Sequence, residues 1–201
     1  GLIYDMFDEG LHVWPFNQPM PAFVGYEYGL DYGYTNPTAI TVHGIPEIEG
    51  DERDYDIQIE EVYEKGLIPQ AVADAMLVLY KKYGRGRVWV DPSSPELIAV
   101  LCDNGIDAVP ADNDVKTGIQ KEQAAFDFTQ GRTGAYITTN CIHTKSELAS
   151  YCWRVRGKGV GARFLDEPNK AAGNDHLMDA RRYRRMGHVG GRFKLPVMVG
   201  G

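Results

Sequence analysis

Arg87-Val88-Trp89-Val90-Asp91-Pro92 is the stretch on which the fold turns. It is apolar, rich in β-branched residues and closed by proline. Its length suits a short buried strand and is too small for a helix. Upstream, a stretch rich in Tyr, Val and small residues predicts strands over 22–31 and 38–43, and the alternating Ile57, Ile59 and Val62 predict a third over 56–63. The Asn36-Pro37 turn and an acidic loop over 47–56 separate them, so the three form an antiparallel meander. The period then lengthens. Val72, Ala75, Met76, Leu79 and Tyr80 recur at helical spacing over 70–83, behind Pro69. Downstream, helices are expected at 95–102, with Gly105 as its C-cap, and at 115–130. Strands are expected at 107–111 and 135–138. A helix over 144–153, opened by Thr144 and Glu147 as a capping box, precedes a glycine-rich turn at 157–161 and a strand at 162–165. A last helix runs from 174 or 175 to about 186. Three antiparallel strands followed by strand–helix alternation imply a mixed α/β sheet with helices on its faces.

The 201 residues suffice for one ordinary domain. Residues 1–20 read as an arm or linker, interrupted by Pro15 and Pro19. The domain body is expected over 21–187, with a flexible tail over 188–201. The start at Gly1 without methionine suggests an excised domain or a tag remnant. No apolar run nears the roughly 20 residues of a membrane span, and no signal peptide is evident. Cys102, Cys141 and Cys152 form no paired spacing, so reduced thiols are expected. The net charge is −7, unevenly distributed: the first 143 residues hold 9 Lys/Arg against 23 Asp/Glu, the remainder 12 against 5. An acidic metal centre beside a basic nucleic-acid surface would give this asymmetry, as would basic helices solvating one end.

Carboxylates are the chemical signal. Charge is penalised on strands that border a core, yet two strands end on aspartate. Asp31 closes the first, within Gly29-Leu30-Asp31-Tyr32-Gly33, and Asp91 closes the fourth. On parallel neighbours both would emerge at one sheet end, where α/β ligand sites lie; Asp91-Pro92-Ser93 also reads as a plain turn. In Asn174-Asp175-His176-Leu177-Met178-Asp179, Asp175 and Asp179 stand at i,i+4 and His176 and Asp179 at i,i+3. Like charges at that spacing repel, which a divalent cation would offset. Asp175 alternatively serves as an N-cap; Asp179 lies too deep for that role. Oxygen donors without zinc-type His or Cys spacing suit Mg²⁺ or Mn²⁺. Two such ions could activate water for phosphodiester hydrolysis.

The motifs Gly29–Gly33 with Thr35-Asn36-Pro37-Thr38-Ala39, Val88–Asp91, Glu147-Leu148-Ala149-Ser150-Tyr151, Glu167-Pro168 and Asn174–Tyr183 span residues 22–186. Over these the sequence resembles the nuclease domain of the large terminase subunit of tailed bacteriophages, within the RNase H-like and resolvase superfamily. The resemblance implies an RNase H-like mixed five-stranded sheet, three strands antiparallel and then parallel ones, flanked by helices with an extra hairpin. It implies a two-metal endonuclease cutting concatemeric double-stranded DNA during genome packaging in the host cytoplasm. Asp31, Asp91 and Asp179 match the family's catalytic acids and metal ligands, with Asp175 and His176 as further ligands. A portal protein, a small terminase subunit and an ATPase domain are the implied partners. The P-loop of that ATPase domain is absent from this sequence, so the chain is expected to be the nuclease half. A junction resolvase, an RNase H-type nuclease and a non-catalytic DNA- or portal-docking module are the competing readings.

Phosphate contacts are assigned to Arg154, Arg156, Lys158 and Arg163 around the glycine-rich turn. Lys116, Lys121 and Lys170 are further candidates. Arg181, Arg182, Arg184 and Arg185 suit the C-terminal dipole of the last helix. His43, His143 and His188 read as structural or exposed.

Overall fold

The computed structural model describes residues 1–50, 52–129, 131–157 and 159–189. Strands β1 (Phe23–Asp31), β2 (Thr38–Pro46) and β3 (Asp56–Glu64) form the expected antiparallel meander. Helix α1 (Glu9–His12) precedes them, and α2 (Pro69–Lys82) follows with proline in its first turn. Then come β4 (Val88–Val90), α3 (Pro95–Asp103), β5 (Ala108–Pro110), α4 (Val115–Phe126), β6 (Ala135–Ile137) and α5 (Ile142–Leu148). A hairpin of β7 (Trp153–Arg156) and β8 (Arg163–Pro168) leads to α6 (His176–Gly187).

The main sheet has the order β5-β4-β1-β2-β3-β6. β4 lies parallel to β1, β5 parallel to β4, and β6 parallel to β3. The α/β class, the mixed sheet and the separate hairpin are as expected. The sheet has six strands rather than five, because the segment read as a strand at 135–138 pairs beside β3 and extends the far edge.

Strand alternation gives the two faces different chemistry. Tyr28, Leu30, Ile40, Val42, Val88 and Val90 point to one face and pack against Val72, Met76 and Leu79 of α2 and Leu97 and Leu101 of α3. The other face presents Glu27, Gly29, Asp31, Thr41, His43, Asp56 and Gln58, all but Gly29 polar and all six of those buried. Helix α6 lies across this face. It can do so because Gly29 has no side chain: a Cβ there would stand 1.9 Å from the Ala180 carbonyl oxygen.

The arginines of α6 answer the polar face. Arg181 bonds Gln58 at 2.6 Å and pairs with Glu122 at 2.5 Å, while its guanidinium covers the Phe126 ring. Arg184 reaches Glu27 at 3.2 Å and Asp56 at 3.0 Å, and Arg185 reaches Asp56 at 2.8 Å and also Glu122. Together with Arg182 they are buried, so they act as interior ion-pair partners, a role beyond the helix-dipole complement expected for them. Burial opposes ionisation of Asp56, but Arg184 and Arg185 outweigh it and hold that carboxyl well below its ordinary range. Glu122 is likewise lowered to about 2 despite burial, by Arg181 and Arg185. Burial drives His43 down to about 3, so it sits neutral against Asp56 at 3.0 Å.

Two further readings change. Within the stretch expected as an arm, Ile3, Tyr4 and Trp14 are buried, the first two in a second core with Phe126, Leu148, Tyr151 and Leu177. The capping box does not form: the Thr144 hydroxyl donates to Glu61, and Glu147 turns to another helix. Helix α5 stops at Leu148, and Trp153, expected in that helix, opens β7. Of the expected tail, 190–201 lie outside the described residues. The three cysteines are free.

Candidate active site

Register brings the strand-end aspartates together. Leu30 pairs with Val90 across the parallel β1–β4 ladder, and the Asp91 amide donates to the Leu30 carbonyl at 3.1 Å. Asp31 and Asp91 therefore leave the sheet at the same level. The turn reading of Asp91 holds as well, since its Oδ1 accepts from the Ser93 amide at 2.8 Å. Helix α6 begins directly over this end of the strands. A cleft of about 280 Å³ is lined by Asp31, Asp91, Asp175, His176 and Asp179, with Asn36, Ser93, Asn113, Lys170 and Tyr183 among its other walls.

The first turn of α6 is held from outside. Asp175 occupies its N-cap position but makes no side-chain cap bond. Instead Glu147 of α5 accepts from the Leu177 amide at 2.8 Å and the Met178 amide at 3.1 Å. Two backbone donors left open at a helix start are thereby satisfied. Burial pushes the Glu147 carboxyl up to about 7 against those two hydrogen bonds.

Charges inside the cleft are coupled. Asp31, Asp175 and Asp179 are 8%, 6% and 4% exposed. Burial raises Asp31 to about 6; the hydrogen bond from His176 works against the rise, and Asp179 and Asp91 add to it. The His176 Nδ1–Asp31 Oδ2 distance is 3.1 Å, and that bond raises the imidazole's affinity for a proton. Burial, then Asp179, raises Asp175. Asp179 is paired on both oxygens, with Lys170 at 2.8 Å on Oδ2 and Arg182 at 2.9 Å on Oδ1. Arg182 also reaches Asn113 at 2.9 Å. Tyr183, one turn after Asp179, has its hydroxyl pKa raised by burial and by the three aspartates Asp179, Asp31 and Asp91.

The donor set suits a hard divalent cation: carboxylate oxygens on one cleft, with Asp31 disfavoured as an anion until a cation joins it. Among the described residues no three His, Cys, Asp or Glu side chains stand close enough to hold an ion in this arrangement. Both oxygens of Asp179 are engaged, one by Lys170 and one by Arg182.

Of the phosphate-contact residues, Arg154, Arg156 and Arg163 lie exposed on the hairpin, and Arg156 is registered opposite Arg163. Arg154 pairs with Glu167 at 3.0 Å. Lys158 lies outside the described residues. Sequence reading missed Glu147, Arg182, Asn113 and Tyr183 as parts of the site. Arg182 and Tyr183 carried a signal, standing three and four residues beyond Asp179. Glu147 lay in one of the motifs that carry the resemblance but without a role, and Asn113 carried no signal, because its partner Arg182 is far away in sequence. No helix among the described residues is long and apolar enough to cross a membrane.

No protein-family model matches the sequence, and no curated protein does. Solved structures do. The large terminase of a thermophilic bacteriophage is 30% identical and superposes with a TM-score of 0.73, over 91% of this chain and 44% of that one. The chain thus spans less than half of that longer protein. The nuclease domain of the P22 large terminase is 16% identical with a TM-score of 0.64, over 93% and 92% of the two chains. The nuclease domain of the large terminase of bacteriophage SPP1, solved with bound Mn, is 19% identical with a TM-score of 0.58, over 81% and 85%. The fold is that of the solved P22 and SPP1 large-terminase nuclease domains, and the chain is similar to part of the thermophilic phage large terminase, in line with the resemblance in its sequence.

Proposed function

We propose that the chain is a divalent-metal-dependent endonuclease domain that cuts double-stranded DNA during viral genome packaging. The carrying observation is the convergence of Asp31, Asp91 and Asp179 on one cleft at the carboxyl end of parallel strands. Mn bound to the SPP1 nuclease domain supports the choice of Mn²⁺ or Mg²⁺. Asp31, Asp91 and Asp179 would hold the metal as a pair of ions, with Asp175 and His176 at its margin. When bound, such a cation supplies water activation and charge neutralisation at the phosphate.

The chain's own residues do the rest. His176 orients Asp31 through its 3.1 Å hydrogen bond. Glu147 fixes the start of α6 and so the height of Asp179 above Asp31. Arg182 holds Asp179 in one rotamer by pairing on the oxygen opposite Lys170. Arg154, Arg156, Lys158 and Arg163 are proposed to track the DNA backbone, giving sequence-tolerant and salt-sensitive binding. The rest of a large terminase, with its ATPase domain, portal protein and small subunit, is the proposed setting, inside the host cytoplasm. In a supercoiled-plasmid assay with Mn²⁺, Asp91→Ala abolishes nicking while the circular dichroism spectrum stays that of the wild type. Undiminished nicking by that variant overturns the site assignment.

A further inference from the structure

Lys170 sits where two surfaces meet. It lies on a single 3-10 turn, Lys170–Ala172, between the end of β8 and α6, and the turn is closed by Gly173 at φ 63°. Its ammonium stands 2.8 Å from Asp179 Oδ2 and 3.6 Å from Asp175 Oδ2, so one positive charge bridges the two acids of α6. Those acids are one helical turn apart and repel each other.

The two cations on Asp179 are not equivalent. Arg182 is 1% exposed at its side chain, bonded to Asn113 and laid over the Tyr183 ring, so packing fixes it. Lys170 is 54% exposed at its side chain, with an ammonium on a flexible stem. Only Lys170 can swing into solvent without opening the core. The same residue also lines the neighbouring cleft of about 540 Å³, shared with Arg154, Asp166 and Glu167 at the base of the hairpin.

We propose that Lys170 is a built-in counter-ion of the acid cleft. It holds Asp175 and Asp179 in the metal-free protein, must leave them before a divalent cation binds, and so sets the metal affinity of the centre. The inference rests on the proposed metal-dependent function and adds the group that competes with the metal. A half-exposed ion pair contributes about 1 kcal/mol, which corresponds to about a fivefold change in affinity.

Calorimetric titration of the protein with Mn²⁺, together with thermal melting in EDTA, tests this. Lys170→Ala is expected to bind Mn²⁺ about fivefold more tightly than the wild type, and to melt lower in EDTA because Asp175 and Asp179 lose their shared cation. Lys170→Arg keeps the charge and is expected to stay near wild-type affinity; Lys170→Met, which keeps the stem, serves should the alanine variant fold poorly. Equal or weaker Mn²⁺ affinity in Lys170→Ala and Lys170→Met, with binding still lost in Asp179→Asn, overturns the Lys170 inference and leaves the metal centre standing. No Mn²⁺ binding by the wild type or by any Lys170 variant overturns the metal centre and this inference together.

Discussion

Gly29→Ala is the smallest change that strikes both fold and site. A Cβ at position 29 would meet the Ala180 carbonyl oxygen at 1.9 Å and its carbon at 2.7 Å. Ordinary contact begins near 3.4 Å, so α6 would have to retreat from β1 by about 1.5 Å. The obstacle is backbone, not a side chain that can turn aside. Such overpacking costs about 1–3 kcal/mol. The retreat would also lift Asp179 away from Asp31, and a displacement of about 1 Å at a reacting centre can cost roughly a hundredfold in rate. Urea unfolding followed by tryptophan fluorescence reads the first effect, and Mn²⁺-dependent plasmid nicking the second. Stability within about 0.5 kcal/mol of wild type, the spread of neutral surface changes, together with full nicking, would refute the seating of α6 on Gly29.

Glu122→Ala leaves Arg181 and Arg185 without their buried partner and is expected to cost about 3–5 kcal/mol in urea unfolding; a loss below about 1 kcal/mol contradicts the ion network. Stability should fall on acidification below about pH 3.8, where the raised carboxyls of Asp31 and Glu147, which gain stability as they protonate, have made their full contribution. Glu122 is lowered to about 2, so its contribution is complete above its ordinary value near 4.5 and is lost as pH falls from there toward 2. His43, lowered to about 3, is neutral in the fold and charged in the unfolded chain once pH drops below about 6.5, which removes stability over that range. Denaturation midpoints that rise on acidification from about pH 3.8 to 2 would reverse this sign. Glu147→Ala is expected to weaken Mn²⁺ binding and speed amide exchange at Leu177 and Met178, with Glu147→Gln restoring much of both because an amide oxygen can accept the same hydrogen bonds; failure of glutamine to rescue would assign Glu147 a different role.

How far the sequence discloses this arrangement depends on the range of each signal. Asp31 and Asp91 are legible because β-prone runs broken at Gly33 and at Pro92 fix where β1 and β4 end, and a parallel pairing then aligns the ends. Asp175, His176 and Asp179 are legible because helical spacing puts them on one side. The arginines of α6 are not, since their partners Glu27, Asp56, Gln58 and Glu122 lie on β1, β3 and α4, between 59 and 157 positions away in the chain. A polar helix over a polar sheet face looks like an exposed helix until both are seen together. Glu147 misleads for a related reason. Its spacing from Thr144 is that of a local capping box, but its carboxylate caps α6, 30 residues away. The stretch 1–14 is rich in apolar residues but is interrupted by Asp5, Asp8, Glu9 and Gly10, and only tertiary packing shows Ile3 and Tyr4 in the core.

The proposed chemistry turns on Asp31, Asp91 and Asp179 sharing a divalent cation. A crystal of this domain soaked in Mn²⁺ and measured at the manganese absorption edge decides whether they do. Anomalous peaks are expected within coordination distance of those three carboxylates, with Lys170 turned away from Asp179. Ordered carboxylates with no peak between them, or manganese bound only elsewhere on the surface, would contradict the shared site.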